Sequence, residues 1–265
     1  MGRTVVLAVA AHPDDIELMM AGTMVMLGRA GCELHYINLC NGCLGTAELS
    51  RDAIVATRAD EAREAARLLG ATWHPPLADD LDLLYDRTAL RKLSAIVRAV
   101  QPTIMLVQSP QDYMEDHMIA CRLAVTAAFA RGMRNFFTEP TTEPIESDVT
   151  LYHALPWGLR DPLRRVIRAG QYVDITTALT AKRAALAAHI SQKEWLDRSQ
   201  GLDSYLVTME DMSREVGRLS TRFEFAEGWR RHLHLGFCAE NADPMTELLG
   251  DFCWTDARYE NELRG

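Results

Sequence analysis

Short apolar runs alternate with longer amphipathic segments along most of the chain. The apolar runs predict strands at residues 4–10, 33–39, 71–74, 103–107 and 149–153. Helices are predicted between them, at residues 16–29, 51–69, 88–100 and 116–131. Leu90, Leu93 and Val97 recur at helical spacing and should face the sheet. This order predicts an α/β, Rossmann-like fold with a largely parallel sheet flanked by helices on both faces.

The carboxyl-terminal part departs from this alternation. Two further helices are predicted at residues 177–196 and 203–219, and alternation in residues 231–237 fits a short strand. We therefore expect a helical and short-strand C-terminal extension within a single domain covering residues 1–265. Residues 138–148 are rich in Pro, Thr and Glu and predict a loop, either a lid over a site or a plain surface connection.

The first predicted strand runs directly into the polar sequence Ala-His-Pro-Asp-Asp-Ile-Glu, residues 11–17. Pro13 ends the strand and starts a turn, so His12 and Asp15 should meet there. Imidazole and carboxylate are ordinary zinc ligands, and a catalytic zinc usually takes three protein ligands plus water. Asp14 is then free to face that water.

A third ligand is expected from the segment Ser-Pro-Gln-Asp-Tyr-Met-Glu-Asp-His, residues 109–117, which follows the predicted strand 103–107. The carboxyl ends of parallel strands share one edge, where open α/β sheets bind their ligands. His117 should therefore join His12 and Asp15, and Asp116 is placed to orient a neighbouring imidazole.

These two segments resemble the motifs of the PIG-L/LmbE family of zinc-dependent N-deacetylases. The first family motif, Ala-His-Pro-Asp-Asp-x-Glu, matches at every fixed position, and the second ends in Asp-His, as here. Further similarity runs through residues 38–45, 57–61 and 225–228. The resemblance implies the following site residues: His12, Asp15 and His117 as zinc ligands, Asp14 as general base, Glu17 and Asp116 as supporting residues, and Arg58 and Asp112 at the substrate.

The resemblance also implies an activity. It predicts a metal-dependent hydrolase of linear amides that removes an N-acetyl or similar N-acyl group from an N-acetylglucosamine-type sugar derivative. Asp14 would activate a zinc-bound water. The same ligands also accept other divalent ions, so zinc is the default metal. Family members often form homo-oligomers, and self-association with an open subunit number is a further expectation.

The second motif departs from the family at one position that matters. The family usually has His-Pro-Asp-His, whereas this chain has Met114-Glu115-Asp116-His117. In family members the first histidine stabilises the tetrahedral intermediate and protonates the departing amine, and Met114 can do neither. His153 is the first choice as a replacement, and His232 and His234 are the second.

Met114 is also compatible with a protein that has no replacement histidine. Zinc and Asp14 could suffice for a slower reaction, or the protein could be a sugar-binding pseudoenzyme. An amidase acting on a thiol conjugate or other non-sugar amide would use the same metal site with a different acyl pocket. Released acetate, another acid, or no acid at all would separate these possibilities.

Composition narrows the function classes. The formal net charge of −9 argues against a nucleic-acid partner, and no apolar stretch is long enough to predict a membrane span. A dinucleotide-binding enzyme would need Gly-x-Gly-x-x-Gly at the first turn, where this chain has His-Pro-Asp-Asp. The expected partner is a small amino-sugar derivative.

The cysteines and tryptophans give weaker signals. Six cysteines without a secretion signal favour a reduced, cytoplasmic protein. Cys40 and Cys43 have Cys-x-x-Cys spacing but lack a second pair, so we interpret their segment as a loop whose glycines bring backbone close to substrate. Trp157, Trp195 and Trp229 could stack on a sugar ring, although packing is the commoner use of tryptophan.

Overall fold

The computed structural model describes residues 3–193 and 204–263. The strands are β1 Val5–Ala10, β2 Glu33–Asn38, β3 Ala71–His74, β4 Ile104–Val107, β5 Thr150–Ala154, β6 Gln171–Asp174, β7 Ala226–Arg231 and β8 Cys253–Thr255. The helices are α1 Asp15–Met19, α2 Ala21–Arg29, α3 Arg51–Leu68, α4 Arg87–Val100, α5 Glu115–Phe129, α6 Leu179–Ala187, α7 Ser204–Ser220, α8 Pro244–Leu249 and α9 Ala257–Leu263.

All eight strands form one sheet in the order β3-β2-β1-β4-β5-β7-β6-β8. The first five in this order pair in parallel, because each is separated from the next along the chain by a helical crossover. The last three run antiparallel to their neighbours. The predicted α/β class with a largely parallel sheet and a carboxyl-terminal extension is confirmed.

The core lies on both faces of the sheet. Every residue of β1 is buried, as expected for a central strand covered on both sides. Leu93 and Val97 of α4 pack with Leu7 and Val9 of β1 in one apolar cluster. The predicted sheet-facing stripe of α4 is therefore confirmed.

Some element boundaries differ from the predictions. The helix predicted over 16–29 is broken at Met20, whose backbone leaves the helical region with φ −134°. The strand predicted over 231–237 is wrong, because β7 ends at Arg231 and a turn follows. The helix predicted over 177–196 begins as α6, and its last residues, with Trp195, lie outside the described part of the chain. In the described residues, no helix combines the length and apolar character needed to span a membrane.

Candidate active site

The site lies where β1 and β4 end. The two strands are parallel neighbours that pair up to Val9 and Val107. Just beyond them, the backbone N–H of Ala11 donates to the side-chain oxygen of Gln108 at 2.9 Å. The turn after β1 and the loop after β4 therefore meet at the carboxyl edge of the sheet, the usual ligand-binding edge of such folds.

His12, Asp15 and His117 come together at this edge. His12 Nδ1 lies 3.3 Å from His117 Nε2 and 3.5 Å from Asp15 Oδ2, and the last two atoms are 3.4 Å apart. A tetrahedral zinc with bonds of about 2.0–2.1 Å would hold its donors about 3.3–3.4 Å apart. The donor set and its spacing therefore fit a zinc ion with one position left open. We call these three residues the metal trio.

Carboxylates outside the metal trio hold its imidazoles in place. His12 Nε2 lies 3.0 Å from Asp116 Oδ2, and His117 Nδ1 lies 2.9 Å from Asp112 Oδ1. Each contact fixes which ring nitrogen remains for the metal. Asp116 thus contacts one imidazole of the trio, and Asp112, expected at the substrate, contacts the other and also borders the cavity.

The acids around the two imidazoles set their electrostatics. Burial opposes the charged form of His12 and His117, but the neighbouring carboxylates outweigh burial and raise the pKa of both. Burial also acts against ionised Asp15, yet the two imidazoles lower the pKa of its carboxyl group. The trio therefore sits in a negative environment that attracts a cation.

Asp14 is held in an unusual backbone conformation beside the trio. Its φ of 113° lies in a region that residues other than glycine rarely adopt, and such strain concentrates at functional sites. The hydroxyl of Tyr205 donates to Asp14 Oδ2 at 2.8 Å, and Arg58 Nη2 lies 3.4 Å from the same oxygen. Burial raises the pKa of Asp14, although Arg58 acts in the opposite direction. These contacts hold the Asp14 carboxylate in place at the wall of the cavity that the trio also lines.

Arg58 reaches Asp14 from α3 through the glycine loop at residues 41–45. Its guanidinium is buried and also donates to the carbonyl of Pro13. A Cβ atom at Gly42 or Gly45 would overlap the Arg58 side chain, and Gly42 has φ +77°. These glycines make room for the arginine, and the backbone of Gly45 also borders the cavity.

Glu17 lies below the site in a fully buried position. The hydroxyl of Tyr36 donates to Glu17 Oε2 at 3.1 Å, and His189 Nε2 lies 3.4 Å from the same oxygen. Both partners belong to other elements, β2 and the segment after α6. Glu17 thus connects α1 to β2 and to the segment after α6.

A cavity of about 470 Å³ opens above the metal trio and Asp14. This volume lies in the range of small-molecule sites. Its polar and charged lining comprises His12, Asp14, Asp15, Gly45, Arg58, Asp80, Gln108, Ser109, Asp112, His117, Gln192 and Thr208. Its apolar and aromatic lining comprises Leu18, Met19, Leu44, Leu81, Tyr113, Met114, Ala154, Leu155, Trp157 and Tyr205.

His153 does not border this cavity, contrary to the first choice made from the sequence. It is buried, with Nδ1 3.1 Å from the carbonyl of Gln108 and Nε2 2.9 Å from His232 Nδ1. Side chains alternate along β5, so Ala154 reaches the cavity and His153 points to the other face of the sheet. His232 and His234, the second choices, lie beyond β7 and do not line the cavity either.

The remaining sequence candidates separate clearly. Trp157 borders the cavity, whereas Trp229 is buried in the core and donates to Thr23 Oγ1 at 3.0 Å. Cys40 and Cys43 are both free thiols. Burial raises the pKa of Cys40 to about 11, so it stays protonated near neutral pH.

Residues 138–148, expected to form a loop, do not line the cavity. Their backbone is bound by two arginines: Arg98 of α4 donates to the carbonyl of Thr142, and the carbonyl of Arg131 accepts from the N–H of Ile145.

Sequence reasoning missed Tyr205 and Gln192. Tyr205 contacts Asp14 across a separation of 191 residues, and in the sequence it reads as an ordinary position of an amphipathic helix. Gln192 follows α6, where no polar pattern distinguishes it. Tyr113 also lines the cavity, and its place inside the second motif was the one sequence signal that could have indicated this.

Fold and site together define an α/β protein that brings His12, Asp15 and His117 together at the carboxyl edge of its sheet, at a spacing that fits a divalent metal ion. The sequence profile of the PIG-L family, described as GlcNAc-PI de-N-acetylase, matches residues 7–129. The uncharacterized deacetylase YaiS of Escherichia coli is 31% identical over 134 residues, which cover 45% of this chain and 69% of YaiS. The chain belongs to the PIG-L family.

Three further similarities bear on function. Diacetylchitobiose deacetylase of Thermococcus kodakarensis is 30% identical over 49% of this chain, and the match spans about half, 51%, of that relative. The 4-oxalmesaconate hydratase of Pseudomonas putida is 26% identical over 71% of this chain and 73% of the relative. The solved N,N'-diacetylchitobiose deacetylase of Pyrococcus horikoshii superposes with a TM-score of 0.70 at 25% identity, covering 88% of this chain and 85% of that one.

Proposed function

We propose that the protein is a zinc-dependent N-deacetylase of N-acetylglucosamine-type sugar derivatives. The observation that carries this proposal is the metal trio at zinc-ligand spacing with the strained Asp14 beside it, at the floor of one cavity. The names of the deacetylase relatives support the same reaction class. The proposed substrate is a small molecule.

His12, Asp15 and His117 would hold the metal, with Asp116 and Asp112 orienting the two imidazoles. A zinc ion bound there supplies Lewis-acid polarisation of the acyl carbonyl and lowers the pKa of water to about 7. We assign Asp14 as the group that takes the proton from the attacking water. Tyr205 and Arg58 both contact its Oδ2, so we assign the proton transfer to Oδ1.

Asp14 could also take over one function of the histidine that Met114 replaces, protonation of the departing amine. Among the described residues that line the cavity, the imidazoles are His12 and His117, and both belong to the metal trio. We therefore assign protonation of the departing amine to Asp14 as well. The raised pKa of its carboxyl group favours a residue that first gains and then returns a proton.

A second candidate is hydration of an unsaturated acid, favoured by the similarity to the hydratase over 71% of the chain. The charge of the cavity argues against it. The lining includes the carboxylates of Asp14, Asp15, Asp80 and Asp112, and its one guanidinium among the described residues, Arg58, is already engaged by Asp14. Apart from the proposed metal, the described lining therefore offers no free cationic side chain to a carboxylate substrate, whereas a neutral N-acetyl sugar needs none.

The experiment is a product assay on protein loaded with zinc and on protein stripped by a chelator. Acetate release from N-acetylglucosamine glycosides that needs zinc would support the proposal. Loss of the conjugated double-bond absorbance of a dienoate substrate, without acetate release, would favour the hydratase. Release of acid from a non-sugar amide, with no acetate from the N-acetyl sugars, would indicate a non-sugar amidase. Sugar binding without any release would indicate a pseudoenzyme.

A further inference from the structure

Three large apolar side chains are exposed to solvent at the opening of the cavity. Leu44, Leu81 and Tyr113 are 57%, 68% and 56% exposed, and all three border the cavity. They come from three different loops at the carboxyl edge of the sheet. We call these three residues the apolar rim. Apolar surface grouped at the opening of a cavity marks a binding surface more often than scattered exposure does.

The structure holds two rim residues in place. Leu81 has φ +60°, a backbone conformation that leucine rarely adopts. Its backbone N–H donates to Asp116 Oδ2 at 2.8 Å, the carboxylate that also contacts His12. The backbone N–H of Leu44 donates to Asp80 Oδ2 at 2.9 Å. Buried acids of the site therefore keep both leucines at the opening.

The rim begins next to the metal trio. The ring of Tyr113 meets the ring of His117 edge-on, with centroids 5.6 Å apart. Met114, the residue that replaces the family histidine, also borders the cavity and adds a thioether to its wall. Leu155 and Trp157 continue the apolar surface inside. One apolar surface thus leads from the reaction centre to solvent.

We propose that the rim binds an apolar group carried by the substrate. This inference rests on the proposed deacetylase function and names its substrate class: an N-acyl amino sugar with an apolar extension, either an aglycone or an N-acyl chain longer than acetyl. Burial of the extension against Leu44, Leu81 and Tyr113 removes apolar surface of both partners from water. The same role accounts for a methionine at position 114, because a thioether packs well against irregular apolar groups.

The test compares three substrates of the zinc-loaded protein by release of the free amine. They are N-acetylglucosamine, its phenyl glycoside and N-hexanoylglucosamine. We expect kcat/KM for the phenyl glycoside or for the hexanoyl amide to exceed that for N-acetylglucosamine at least tenfold. Whichever substrate is preferred identifies the source of the apolar group. Equal values for all three would overturn the inference and leave the deacetylase function standing.

A rim variant sharpens this test. Leu81→Gly combined with Leu44→Ser removes two rim side chains, and glycine is suited to the positive φ at position 81. We expect this variant to lower kcat/KM for the preferred substrate at least fivefold more than for N-acetylglucosamine. Leu233→Ser is the matched control, because Leu233 is 63% exposed and does not border the cavity. An equal decrease for all substrates would contradict the inference.

If no amine is released from any substrate, binding measurements test whether the rim binds an apolar group. That outcome would overturn the deacetylase function. Calorimetric titration of the phenyl glycoside and the hexanoyl amide would then test the rim by itself, and at least fivefold weaker binding to the rim variant would support it. Unchanged affinity would overturn it. A dimer that is lost in the rim variant, with substrate preference unchanged, would assign the surface to a second copy of the chain and also overturn it.

Discussion

Two pairs of histidines lie near the carboxyl edge of the sheet, one at the cavity and one outside it, and the ring nitrogens within each pair approach each other to similar distances. His12 and His117 are 3.3 Å apart at the cavity, and His153 and His232 are 2.9 Å apart outside it. The first pair is surrounded by carboxylates, whereas the neighbours of His153 are a carbonyl oxygen and the thiol of Cys121.

The difference in surroundings shifts the pKa values of the two pairs in opposite directions. Carboxylates raise the pKa of His12 and His117 despite burial. Burial lowers the pKa of His153 to about 4 and also lowers the pKa of His232. A pair of histidines therefore becomes a candidate metal site through the acids and the cavity beside it, and the histidines alone do not make it one.

Removal of a metal-trio histidine should have the largest effect. His117→Ala deletes one of three expected ligands, so we predict that the purified protein loses bound zinc and that its deacetylase activity falls to background. His232→Ala, from the other pair, should keep zinc and activity. Metal analysis and acetate release measure both. Equal zinc content in the two variants would contradict the distinction between the pairs.

Loss of an orienting acid should weaken the metal site without destroying it. Asp112→Asn replaces the carboxylate that contacts His117 Nδ1 by a neutral amide. We predict zinc affinity about 10–100-fold lower, the usual cost of losing such a partner. Competition with a chromophoric chelator measures this affinity. Asp243→Asn, which alters a carboxylate bound by Tyr152, is the control, and the same loss there would exclude a specific role for Asp112.

The hydroxyl of Tyr205 should have a smaller effect, confined to turnover. Tyr205→Phe removes the hydrogen bond to Asp14, and bonds to charged groups contribute roughly 1.5–3 kcal/mol. We predict that kcat falls about tenfold while bound zinc stays constant. Tyr152→Phe is a close match, since its hydroxyl donates to Asp243 Oδ1 at 2.7 Å away from the cavity. An equal fall in kcat for both variants would reduce Tyr205 to a structural role.

The second histidine pair should affect stability in acid and leave turnover unchanged. The pKa of His153 is about 4 in the folded protein and 6.5 when exposed, so the unfolded chain binds the proton more tightly. The free energy of unfolding should therefore fall as pH drops from 6.5 towards 4, by about 2 kcal/mol at pH 5 for this group. Urea unfolding at pH 7 and pH 5 should show a smaller fall for His153→Gln. A fall as large as that of wild type would contradict the assignment.

Most of the sheet and the grouping of the metal trio could be predicted from the sequence. Parallel strands appear as apolar runs, and the predicted bounds of β1 to β5 agree with the structure to within one residue. His12, Asp15 and His117 could be predicted because they lie in the polar segments that follow two such runs. Their convergence is a consequence of parallel strands that share a carboxyl edge.

The rest of the site depends on long-range packing. Tyr205 reaches Asp14 from α7, and nothing in the spacing of an amphipathic helix indicates that contact. The expectation for His153 failed because side chains alternate along β5: Ala154 borders the cavity, and His153 shares the other face of the strand with Leu151. His153 does lie on β5, a strand that borders the cavity through Ala154, but its side chain points away from the cavity.

Acetate release by zinc-loaded wild type and by zinc-loaded Asp14→Asn tests whether Asp14 is the general base. An amide at position 14 keeps the shape of the carboxylate and leaves the metal trio intact, but it cannot accept a proton. We predict equal zinc content and a kcat about 10²–10⁴-fold lower in the variant, the usual contribution of a general base. Acetate release by Asp14→Asn at the wild-type rate, with zinc bound, would contradict the account.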